Sequence, residues 1–142
     1  MVKLNSNGQA TLSFILLAGG IILEIAIAGS FITYFLSASG LSERLSARAY
    51  VAAEAGIRDA QIKITRNKDF SNNTTSTHTL SVSNDLATVQ IFGDSTDPIN
   101  YLYTITSIGF ASTRERKLVS KLIVNKTNGL VQFQSLTEQT IQ

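Results

Sequence analysis

The chain has 142 residues, one histidine, no cysteine and a net charge of +2, enough for one modest domain. The absence of cysteine excludes a disulfide framework, a thiolate zinc site and a cysteine nucleophile, and a lone His78 excludes a multi-histidine metal centre. An isoelectric point near 9.0 reflects nearly balanced charge and does not argue for a nucleic-acid partner; the composition speaks against most enzymes, and no cofactor is expected.

Residues 1–8 (MVKLNSNG) are a short polar stretch with one basic residue, Lys3. From Ala10 to Leu36 the sequence is apolar with Glu24 as its only charge. As a helix this run spans roughly 40 Å, enough for a bilayer core of about 30 Å. It exceeds the apolar region of a secretory signal peptide, on the order of 7–15 residues, so a retained anchor over residues 9–40 is expected despite the small residues Ser37-Ala38-Ser39. Flanking charge does not choose an orientation, because Arg44 and Arg48 follow the span beside Glu43 while only Lys3 precedes it. An exported C-terminal part is inferred from its type.

Beyond Gly40 the helical signal continues. Leu41, Leu45, Ala49, Ala52, Ala53, Gly56, Ile57, Ala60 and Ile64 recur at three- and four-residue steps, predicting a narrow apolar stripe over residues 41–66. Glu43, Arg44, Arg48, Arg58, Asp59 and Lys63 occupy the opposite face, with Glu54/Arg58 and Asp59/Lys63 in the favourable acid-before-base order. The helix is expected to end near Arg66-Asn67, where the polar connector 67–77 begins.

Residues 78–142 read as a sheet. Strands are expected at Thr77–Ser83 (His78, Leu80 and Val82 on one face), Leu86–Phe92, Tyr101–Ser112, Lys117–Asn125 and Leu130–Leu136. The turns fall at Asn84-Asp85, at residues 93–100 with the chain's only proline, at residues 113–116 and at Asn128-Gly129. Gly109 predicts a bulge or a close backbone approach. Short connections favour antiparallel pairing, and the helix stripe can cover the apolar face. The expected fold is α+β: a long helix, transmembrane and then soluble, packed on a mainly antiparallel sheet of four or five strands.

This layout resembles the type IV pilins, of minor pilin or pseudopilin type. The resemblance covers nearly the whole chain: the polar leader ending in Gly8, the long apolar helix, the segment ARAYVAAEAGIRDAQIKITRN at residues 47–67, and the hairpin YTITSIGFASTRERKLVSKLIV at residues 103–124. It implies a single-pass inner-membrane subunit that a prepilin peptidase cuts between Gly8 and Gln9. Assembly machinery then builds it, with other pilin subunits, into an extracellular filament that contacts surfaces or DNA. Two positions depart from the family pattern: Gln9 stands where phenylalanine or methionine is usual, and Ser13 where a glutamate is usual. Two alternatives remain: a pseudopilin of a secretion or DNA-uptake machine, and a single-pass anchored binding domain that never polymerises.

Among individual residues, Glu24 is the most unusual. An ionised carboxylate near the bilayer centre costs at least about 2.5 kcal/mol, so a neutral or paired group is expected. It either meets a polar or cationic group of a neighbouring subunit, such as the amine of Gln9, or bonds within its own helix. Gly19, Gly20 and Gly29 are candidates for close helix packing. Asp94 and Asp97 are weak oxygen ligands for a metal, since GDSTDPIN also reads as turn chemistry. Asn72, Asn73 and Asn125 begin Asn-x-Thr triplets, and Arg114, Arg116, Lys117, Lys121 and Lys126 form a basic cluster in sequence that reads as a solvated strand face. His78 has no acid or nucleophile at a suggestive spacing.

Overall fold

A computed structural model describes residues 6–71 and 73–140, with side chains from residue 11 onward. The leader residues Met1–Asn5 and the first glycosylation candidate, Asn72, lie outside the described residues. One helix, α1 (Ser6–Arg66), precedes β1 (Thr75–Val82), β2 (Asp85–Asp94), β3 (Asn100–Ala111), β4 (Arg114–Asn125) and β5 (Val131–Gln139). The strands form one sheet in the order β1-β2-β3-β4-β5, and every neighbouring pair is antiparallel. The expected α+β architecture is the observed one.

The chain divides into two compact units, Met1–Leu41 and Ser42–Gln142. The described part of the first unit is helix alone. Its large apolar side chains are exposed around the circumference, among them Phe14, Leu17, Ile22, Phe31 and Phe35. The helix is long and apolar enough to cross a membrane. Nothing periodic organises its polarity, as befits a helix apolar on every side. Leu41, expected in the buried stripe, is instead 60% exposed: it precedes the residues that the sheet covers.

In the second unit the stripe is buried as its spacing requires. Ala53, Ile57, Ala60 and Ile64 pack on Ala87, Val89 and Ile91 of β2, Tyr103 and Ile105 of β3, and Leu118, Leu122 and Val124 of β4. In β2 and β3 these residues alternate with more exposed ones, as period-two geometry demands, whereas Leu118, Val119 and Ser120 of β4 are buried in succession. Each fully buried Val, Leu or Ile contributes roughly 1.5–3 kcal/mol before the entropy of ordering is set against it.

Small residues make the approach of helix and sheet possible. A side chain on Gly109 would run into the Ala49 carbonyl oxygen and lie 2.5 Å from the Ala53 nitrogen. The helix backbone therefore rests on the strand backbone at this point. Gly109 pairs in unbroken register with Ala87 and Arg116, so the close approach is the correct reading and the bulge is not. An irregularity occurs elsewhere, in β4–β5 pairing between Lys121 and Leu122.

Two turns and one strand end are displaced from their expected positions. The β1–β2 turn consists of Ser83, with φ of 57°, and Asn84, while Asp85 pairs with Val82 inside the ladder. The β3–β4 turn is Ser112-Thr113, and Arg114 to Arg116 already belong to β4. β5 extends beyond Leu136 to Gln139. At the β4–β5 turn Gly129 adopts φ of 71° and donates its N–H to the Asn125 carbonyl at 2.9 Å, which fits the Asn-Gly signal.

Candidate functional site

The first unit offers an exposed apolar surface built from one helix. Glu24 is exposed on it and has no hydrogen-bond or ion-pair partner among the described residues. The nearby hydroxyls are committed to their own helix: Ser30 donates to the Ala26 carbonyl and Thr33 to the Gly29 carbonyl, both at 2.9 Å. Side chains added at Gly19, Gly20 or Gly29 would meet nothing within 4 Å. At 100° per residue Gly20 shares the face of Glu24, whereas Gly19 and Gly29 lie well away from it. The proposed Gly8–Gln9 junction falls in the first turns of α1, and its side-chain surroundings lie outside the described residues.

In the second unit, charged groups fasten the sheet to the helix. Arg48 makes a two-pronged contact with Asp85, Nε to Oδ2 at 3.0 Å and Nη2 to Oδ1 at 2.7 Å. Asp85 is only 8% exposed, so losing this partner would leave a buried carboxylate uncompensated. Arg48 stays about half exposed, in keeping with its place on the solvated face, while its guanidinium reaches Asp85. Arg114 donates to Ser42, and Arg116 donates to Ser46 and pairs with Glu138 at 2.7 Å.

His78 Nε2 lies 2.8 Å from Asp59 Oδ2, joining β1 to the helix, and Lys63 Nζ approaches the same oxygen at 2.8 Å. Burial pushes the Asp59 carboxyl up, but hydrogen bonds from Lys63 and His78 and attraction to both hold it below its ordinary value. The helical pairs Glu54–Arg58 and Asp59–Lys63 both form.

At the other end of the sheet, loops are stitched by backbone and side-chain bonds. Lys126 Nζ donates to the Ser95 carbonyl at 2.9 Å and stands 4.9 Å over the Tyr101 ring. Tyr101 donates to Asp69 at 2.7 Å, and Tyr103 to the Lys68 carbonyl at 2.6 Å. Burial, with the charge of Asp69 and the neighbouring Tyr101, pushes the Tyr103 hydroxyl up to about 12. Asn73 and Ser95 exchange bonds at 2.6 and 3.1 Å, and Asn125 accepts the N–H groups of Thr127 and Asn128.

Asp94 accepts from the Thr96 backbone at 2.9 Å, and Asp97 accepts from Ile99 and Asn100 at 2.7 and 2.8 Å. Hydrogen bonds from Thr96 lower the first carboxyl, and those from Ile99 and Asn100 lower the second. Both are thus engaged as turn formers. Among the described residues no three His, Cys, Asp or Glu side chains gather as metal ligands.

The basic cluster of the sequence is not one patch. Arg114 and Arg116 reach the helix from one end of β4, Lys126 serves the opposite loops, and Lys117 and Lys121 stand at odd positions on the other face from Leu118 and Leu122. Strand pleating separates residues that are neighbours in sequence. Comparison with protein families, with curated proteins and with solved structures finds no match to this chain.

Proposed function

We propose that the chain is a structural subunit of a type IV pilus or pilus-like filament. It is held by its N-terminal helix in the inner membrane before assembly and carried in an extracellular filament afterwards. The observation that supports this most is the unbroken helix Ser6–Arg66, with large apolar side chains exposed from Leu12 to Leu36 and a stripe packed on an antiparallel sheet from Ala49. A helix of this kind supplies an anchor and a filament-packing surface with one element, while the sheet remains for surface contact. The resemblance adds cleavage after Gly8 by a prepilin peptidase, with Glu24 available to a neighbouring subunit. Electron microscopy of producing cells with and without this chain tests the reading. Loss of surface filaments is expected on deletion, and unchanged filaments that lack the chain would contradict it.

The departures at Gln9 and Ser13 favour a second reading, a single-pass anchored binding domain that never polymerises. In that case the chain stays in the membrane fraction and no filament depends on it. A pseudopilin would instead leave pili intact and abolish secretion or DNA uptake.

A further inference from the structure

Glu24 has a partner problem that its own chain does not solve. It stands about 20 Å along the helix from Thr11 and about 18 Å from Leu36, each more than the half-thickness of a bilayer core, about 15 Å. A glutamate side chain does not bridge that distance to a lipid headgroup. The amine of its own Gln9 would be about 22 Å away along the helix. The remaining source of a hydrogen bond is another membrane-embedded chain.

A second copy in the same orientation brings an identical carboxyl to the same depth. The neighbouring residues fit such a pair. Gly20 and Ala28 lie one turn to either side of Glu24, and residues this small let a second backbone come close on that face. Leu17 and Phe31, 64% and 60% exposed, extend the same face as apolar flanks. Small residues beside a polar group are the features that associate helices in lipid, where apolar side chains alone gain little by leaving their surroundings.

We infer that Glu24 is a self-association site: two copies pack in the bilayer through Leu17, Gly20, Glu24, Ala28 and Phe31, each neutral carboxyl donating its O–H to the other. The pairing satisfies both groups without placing a charge in hydrocarbon. It rests on the membrane-spanning part of the proposed function and not on filament formation, so it describes the subunit as stored in the membrane.

The test uses the full chain in phosphatidylcholine vesicles. Because the chain has no cysteine, a Thr113→Cys variant carries donor or acceptor dye on the exposed β3–β4 turn. Energy transfer between copies is expected to fall as lipid dilutes the chain. Glu24→Leu and Gly20→Ile should each weaken association about 5- to 30-fold, while Glu24→Gln, whose amide also pairs with itself, should stay within about threefold. Transfer that is absent, or unchanged in Glu24→Leu, overturns the inference even when the chain floats with the vesicles. A Glu24-dependent crosslink to a different membrane protein, without self-transfer, overturns it too. Failure of the chain to float with vesicles overturns the membrane-spanning reading as well.

Discussion

The two units treat apolar residues in opposite ways. In residues 11–41 the large side chains face outward on every side of the helix, and glycines lie open. In residues 42–142 the helix turns a stripe of alanine, glycine and isoleucine inward, and Gly56, Gly93 and Gly109 are closed by neighbours. The same helix is thus apolar on every side where it is long enough to cross a membrane, and apolar on one stripe where a sheet covers it. Glycine therefore has no single meaning in this chain: in the first unit it lies open, at Gly56, Gly93 and Gly109 it records space already taken, and at Gly129 it serves a turn of positive φ.

Substitutions sharpen that contrast. The largest effect is expected from Gly109→Val, because the clash falls on the backbone atoms of Ala49 and Ala53, which have no rotamer to change. It should cost about 3 kcal/mol or more in urea unfolding of the detergent-solubilised chain. Gly29→Ala in the first unit should cost nothing and stabilise the helix by up to about 1 kcal/mol, read by thermal circular dichroism. Equal losses at the two sites would break the comparison.

Next comes Arg48→Ala, which strands a nearly buried Asp85. A loss of about 2 kcal/mol is expected in the same urea titration, and Asp85→Ala should cost less because Arg48 is half-exposed and can hydrate.

Acid should act on the second unit through Asp59. Its folded carboxyl lies below the ordinary value, so its contribution is present above the unfolded value of about 3.9 and is lost as pH falls through the folded one. Asp94 and Asp97 act in the same direction. Asp59→Asn should therefore flatten part of the decline in stability on acidification, followed by thermal melts across acidic pH; an unchanged slope would remove Asp59 from the account.

The smallest effect is expected at Ser120. Its hydroxyl is fully buried with no hydrogen-bond partner among the described residues, so Ser120→Ala should be neutral or stabilise by up to about 1 kcal/mol.

Local pattern was enough to read the helix and most of the strand faces. The alternation through Ala87, Val89 and Ile91 and the three- and four-residue steps through Ala53, Ile57 and Ala60 are consequences of backbone geometry that sequence displays directly. What sequence hid depends on contacts between distant elements. Asn84-Asp85 reads as a turn, but Asp85 joins β2, where Arg48, 37 positions earlier, holds it. His78 has no acid near it in sequence because Asp59 reaches it from the helix, and the position of β1 beside that helix sets the pair. The basic residues of β4 look like one cluster until pleating sends them to different faces. Gly109 shows the intermediate case: its presence in a strand announced a backbone feature, and only the packed helix decided which one.

The proposed role as a filament subunit meets its sharpest test in mass spectrometry of filaments sheared from producing cells. The account predicts that the chain is present in the sheared fraction and begins at Gln9. A chain confined to the membrane fraction and still beginning at Met1 would contradict it.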